Sequence, residues 1–190
     1  MKRTAIALFG LLTLFAGITA AQSNSFQSQI AGNVLPGGDE TRPRVVQPAA
    51  ARDAAIVNTA SVEQIAFEMI NQKRAENGLK PLAWSGELEV LAQRHSQDMA
   101  DNKYFGHRGI DGSMVSDRAD RCGIGKWRAL GENIAYNRGY KEPVEMAVKL
   151  WMESTAHRQN LLNNDWRESA IGVAIGADGS YYFTQVFLRK

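Results

Sequence analysis

A single cysteine, Cys122, leaves this chain of 190 residues without any internal disulfide, and with only three histidines each imidazole stands out. The chain also lacks HExxH and GxSxG, so neither a zinc-peptidase helix nor a serine nucleophile elbow is spelled out. It has little excess charge: 22 basic residues face 20 acidic ones, and setting Lys2 and Arg3 aside makes the balance even. A nucleic-acid binder wants a clustered basic face, so this balance argues against nucleic acid as a partner. No apolar run reaches the roughly 20 residues of a membrane-spanning helix, and the chain is not expected to be a transmembrane protein.

The N-terminus reads as an address. Lys2 and Arg3 give a positive start, Ile6 to Ile18 is apolar but for glycine and threonine, and Thr19-Ala20-Ala21 offers small residues for cleavage. Residues 1–21 are therefore expected to be a signal peptide, and the mature protein to be secreted, periplasmic or extracellular. No cysteine follows the run, so lipoprotein attachment is not expected. Residues 22–60 hold Pro36, Pro43 and Pro48, show no sustained period, and read as a disordered linker. The remaining segment, 61–190, is long enough to bury a core without disulfide staples. Cys122 reads as a buried small hydrophobe, with a reactive thiol or an intermolecular bridge as the alternatives.

Within 61–190 the periodicity predicts an α+β fold. Ser61 and Gln64 have capping-box spacing, and Val62, Ile65, Ala66, Met69 and Ile70 fall on one helical face. A second helix after Ser85 carries Leu88, Leu91, Ala92, His95 and Met99 as its stripe, where His95 reads as a satisfied core histidine. A short helix fits 113–121. Gly131 is read as a sharp turn before a strand at 134–136. Pro143 opens a helix with Val144, Ala147, Val148 and Trp151 buried. Two strands, 170–175 and 181–188, flank Ala177-Asp178-Gly179-Ser180 as a hairpin.

Chemistry-bearing residues recur in well-marked contexts. His107 lies in YFGHRG, Glu132 in LGENIA and His157 in WMESTAHRQNLL, each 25 residues from the last. Imidazole and carboxylate hold divalent metals and move protons near neutral pH. A carboxylate accepting imidazole N–H bonds can equally tie chain segments together with no metal at all. Glu153 and His157, four apart, share a face of one continuous helix, unless Ser154 or Thr155 caps a new one.

Six segments in order carry a resemblance: NQKRAENGLKPLAWSGEL, LAQRHSQDMADNKYFGHRGIDG, GENIAYN, WMESTAHRQNLLN, IGVAIG and YYFTQVF. From about Ile65 to Phe187 the chain resembles the bacterial branch of the CAP superfamily, also called the SCP domain (cysteine-rich secretory proteins, antigen 5 and pathogenesis-related 1). The resemblance implies a three-layer α-β-α sandwich with a small central antiparallel sheet. It implies a cleft of two histidines and two acids able to hold a divalent metal such as Zn or Ca. Carried over, these are His107, Glu132 and His157. The family's second acid falls at Ser154 here, with Glu153 one residue earlier as the substitute. Asn133, Ser154, Arg158 and Asn160 are expected to support the cleft and its loops. The implied role is an exported, non-enzymatic binding module for a lipid, glycan or protein ligand. The alternative is a metal-dependent hydrolase or peptidase using the same cleft.

Overall fold

A computed structural model describes Thr4–Ile6 and residues 58–190. The expected signal peptide and linker lie outside these residues, except for that short strand and the start of the first helix. The order of elements is β1 (Thr4–Ile6), α1 (Thr59–Glu76), β2 (Ala83–Trp84), α2 (Gly86–Asn102), α3 (Val115–Arg121), β3 (Ala129–Arg138), α4 (Pro143–Glu153), α5 (Thr155–Leu161), β4 (Glu168–Ile175) and β5 (Ser180–Arg189).

The sheet order is β1-β3-β5-β4-β2. Its centre, β3-β5-β4, is antiparallel, while the short outer strands pair in parallel, β1 with β3 and β2 with β4. Successive residues of a strand face opposite sides, and β3 and β5 show it clearly. Ala135, Phe183 and Phe187 join a core with α1, α4 and α5, built around Ile70, Trp151 and Trp166. Leu130, Val186 and Leu188 join a second core with Leu88 and Leu91 of α2 and Val115 and Ala119 of α3. Helices thus cover both faces, and the expected three-layer α-β-α sandwich is the fold.

Several local expectations shift. Asn58 rather than Ser61 caps α1, its Oδ1 accepting from Ala60 N at 3.2 Å. The helix is also rotated: Ile65 is exposed, and Glu63 and Arg74 are buried beside Ala66, Phe67 and Ile70. Polar reach drives this rotation. Glu63 accepts from Val173 N at 2.8 Å and from Gln93 Nε2 at 2.9 Å. Arg74 donates to the carbonyls of Lys80, Leu161 and Asn163. Burial pushes the Glu63 carboxyl above its ordinary range, against the lowering effect of those two donors.

Helix α2 lies unusually near the sheet. A Cβ on Gly172 would stand 2.0 Å from Gln93 N and 2.2 Å from the Ala92 carbonyl carbon, so only glycine lets α2 seat on β4. Ser96 fastens the contact, its hydroxyl bonded to Gly172 O and Thr184 Oγ1, both at 2.8 Å. Cys122 is exposed rather than buried because it falls at the C-cap of α3.

Candidate functional site

The site is anchored by β3, which begins at Ala129, earlier than the sequence suggests, and so includes Glu132 and Asn133. Gly131 is therefore not a turn but a strand residue. A Cβ there would sit 2.8 Å from Trp166 Cζ2, and the missing side chain lets the Trp166 indole approach the strand closely.

Alternation along β3 sends its two polar residues to opposite layers. Glu132, 2 % exposed, points toward α2 and α3. Its Oε1 lies 2.9 Å from His107 Nδ1, and its Oε2 accepts from Arg118 Nη2 at 2.5 Å. Arg118 spreads further, donating through Nη1 to the carbonyls of His107 at 3.1 Å and Ser113 at 2.9 Å. One guanidinium thus holds the acid, the histidine's own backbone and the loop leading into α3. Burial opposes ionisation of Glu132; the His107 hydrogen bond and the Arg118, His95 and His107 charges outweigh it and hold the carboxyl below its ordinary value.

Asn133 points the other way and ties down α5. Its Nδ2 donates to His157 O at 3.1 Å, and its Oδ1 accepts from Asn160 Nδ2 at 3.0 Å. Asn160 Nδ2 also reaches Glu132 O at 3.3 Å, and Asn160 O accepts from Trp166 Nε1 at 3.1 Å. With α5 anchored in this way, the His157 ring stands 6.5 Å from the His107 ring, centroid to centroid. Burial and the neighbouring His107 push the His157 imidazole below its ordinary pKa.

The structure therefore brings together His107, Glu132 and His157, supported by Asn133 and Asn160. It does not bring in Glu153. The backbone leaves the helix at Ser154, with ψ 122°, and α5 restarts at Thr155, so Glu153 and His157 do not share a helical face. Glu153 is 62 % exposed, with Lys149 Nζ 3.9 Å away. Ser154 is the hinge between the two helices, its carbonyl accepting from Arg158 N at 2.8 Å. Arg158 is exposed and bonds Met152 O at 3.3 Å, bracing that junction rather than the cleft.

Two contributors escape the sequence reading. Arg118 carries no local signal; only the fold reveals that α3 aims it at β3. His95 is a core histidine, 1 % exposed, yet its Nε2 lies 3.9 Å from Glu132 Oε1 as well as 3.0 Å from Gly106 O. Burial lowers its pKa, with Glu132 pulling the other way.

A metal at Glu132 would meet the Arg118 cation on the same carboxylate. Both Glu132 oxygens have close partners, one of them cationic, and Glu153 faces solvent. Among the described residues no three His, Cys, Asp or Glu side chains gather so as to hold an ion. The donor set does not fit the four-ligand centre that the resemblance implies.

Comparisons with known proteins agree with this architecture. The chain is 32 % identical over 175 residues to the membrane protein YlbC of Bacillus subtilis strain 168, covering 92 % of this chain and 47 % of that one. It is 38 % identical over 133 residues to YkwD of the same organism, covering 70 % and 49 %. The chain thus spans about half the length of these relatives. Among solved structures, an extracellular SCP-domain protein from Bacillus anthracis matches with a TM-score of 0.60 at 32 % identity, over 70 % of this chain and 41 % of that one. An outer surface protein of Borrelia burgdorferi, 18 % identical, shares the fold with a TM-score of 0.62, over 70 % of this chain and 96 % of that one. Residues 67–187 match the model of the cysteine-rich secretory protein family, and the chain belongs to that CAP family.

Proposed function

We propose that this domain is an exported, non-enzymatic binding module whose histidine–glutamate–arginine cluster is a clasp, forming one wall of the cleft. The observation that carries this reading is the state of Glu132. A buried carboxylate bonded on one oxygen to Arg118 and on the other to His107 is held ionised with a cation already against it. A general base needs a lone pair free for a substrate proton, and a metal ligand needs one free for the ion. Arg118, held against Glu132, lowers the basicity of the carboxylate and repels a second cation there. Export is supported by the charged, then apolar, N-terminal sequence and by the likeness to an extracellular SCP-domain protein. Among the described residues no helix is long and apolar enough to cross a membrane. The ligand class is a lipid, glycan or protein of the envelope or its surroundings.

The test is calorimetric titration of Zn²⁺ and Ca²⁺ into wild type and His107→Ala/His157→Ala, beside a screen of peptide and ester substrates. The clasp reading expects no stoichiometric uptake that depends on the two histidines, and no turnover above background. Hydrolysis by wild type that vanishes in the double variant, with its thermal midpoint retained, would instead establish the metal-dependent hydrolase.

A further inference from the structure

Strand β3 is the last long strand on its side of the sheet. Among the described residues β1 alone pairs with its outer edge, in parallel: Thr4 with Ala129, Ala5 with Leu130 and Ile6 with Gly131. An edge strand presents a row of N–H and C=O groups to any extended chain that meets it, and folded proteins pair or cap them.

Which groups face outward follows from the bonds around β3. Successive residues of a strand turn their backbone N–H and C=O to opposite sides. Side chains of α5 and α4 reach the outer edge, Asn160 Nδ2 to Glu132 O at 3.3 Å and Trp151 Nε1 to Ile134 O at 2.9 Å. The even-numbered residues of β3 therefore face outward, and at 132 and 134 the carbonyls are already capped. Leu130 is the next outward residue back. The pairing with β1 ends at Gly131, where the caps begin. The open part of the edge is thus a notch three residues long, shaped for a strand and closed to a longer one.

Its occupant lies in the segment that export is expected to remove, since Thr4–Ile6 falls within residues 1–21. Cleavage would take the paired strand from Leu130, whose side chain is buried on the α2 and α3 side and cannot turn round to cover its own backbone.

We infer, resting on the proposed export, that the β3 edge at Ala129–Gly131 takes an extended segment of a protein ligand, added in parallel as Thr4–Ile6 is before cleavage. This narrows the ligand to a protein. A lipid or a glycan carries no ladder of N–H and C=O groups at strand spacing, so neither can replace β1. The segment that fits is short and uncharged, like Thr-Ala-Ile, and has no proline opposite Gly131.

The test is amide hydrogen exchange, read by NMR in the full chain at Leu130 and Glu132, with Val186 on β5 as the internal reference. Ile6→Pro, which removes an N–H from β1, is expected to speed exchange at Leu130 at least about tenfold while Val186 is unchanged. The acetylated and amidated peptide Lys2–Leu8, added to that variant at about 5 mM to match the effective concentration of a tethered strand, is expected to restore protection. The same peptide N-methylated at the Ile6 nitrogen is expected to restore none. Unchanged exchange in the variant, no restoration by the peptide, or equal restoration by its N-methylated form would overturn the inference. So would protection regained by dimerisation of the variant, seen in sedimentation, because a second copy would then be the occupant. Sequencing the N-terminus of the secreted protein tests export separately: residues 1–21 still attached would refute that reading, and the freed edge with it, whatever the exchange shows.

Discussion

Removing Arg118 tests whether Glu132 is held by its partners or merely near them. Arg118→Ala takes away the guanidinium 2.5 Å from Oε2 and leaves a carboxylate that is 2 % exposed with His107 as its one close partner. Breaking a buried ion pair from one side costs about 3–5 kcal/mol, because the remaining charge is desolvated without compensation. Arg118 is itself only 11 % exposed, so solvent does little to screen the loss. The two bonds to the carbonyls of His107 and Ser113 go with it. In a domain of this size each kcal/mol shifts Tm by about 3–5 °C, so a fall on the order of 10–20 °C is expected. The decisive step is the second variant. Adding Glu132→Gln removes the stranded charge, and the double variant is expected to be more stable than Arg118→Ala alone by at least ~1 kcal/mol. Urea unfolding with an unchanged m-value reads the difference as a shift in midpoint. A loss below about 1 kcal/mol in Arg118→Ala, or a double variant no better than the single, would refute the reasoning.

Gly172→Ala puts a methyl 2.0 Å from the α2 backbone, where no side chain can yield; destabilisation at or above ~3 kcal/mol is expected, and a wild-type melt would contradict it. Stability should fall as pH drops below about 6.5, since His95 and His157 have folded pKa values lowered by burial and the unfolded chain takes up their protons first. Glu132, also lowered, extends the fall below 4.5, whereas Glu63, raised by burial, contributes its stability at low pH and loses it as pH rises through its folded value. Replacing His95 with Gln should flatten the Tm–pH slope between pH 7 and 5.5; parallel slopes would count against its burial as a neutral ring. Glu153→Ala should change stability by no more than ~0.5 kcal/mol, because the side chain is exposed and its Lys149 contact is long; a larger loss would return Glu153 to the site.

The sequence was most readable where one face of an element is uniformly apolar. Val144, Ala147, Val148 and Trp151 are all buried on α4, and the β4–β5 hairpin turns at Asp178-Gly179. It was least readable where polar groups decide orientation. Helix α1 turns Ile65 outward because Glu63 and Arg74 have partners on β4, on α2 and near the end of α5, and no local periodicity encodes partners 30 to 110 residues away. The site shows the same division. His107, Glu132 and His157 stand in distinctive local wording, but the break at Ser154 that expels Glu153 depends on a single ψ angle. Arg118 becomes visible only when α3 is packed against β3.

Glu132 and Asn133 are adjacent residues that serve opposite layers, the acid locking α3 and the histidine loop, the amide locking α5. Because a strand's faces alternate, a one-residue slip of β3 against β5 would exchange them. The carboxylate would then meet Trp166 and the His157 carbonyl, and the amide would meet the Arg118 guanidinium. Neither exchange is tolerable. The pair therefore acts as a proofreading mark for strand alignment: both helical layers can close only when the central sheet is in register, so a cleft of the right shape certifies a correctly assembled sheet.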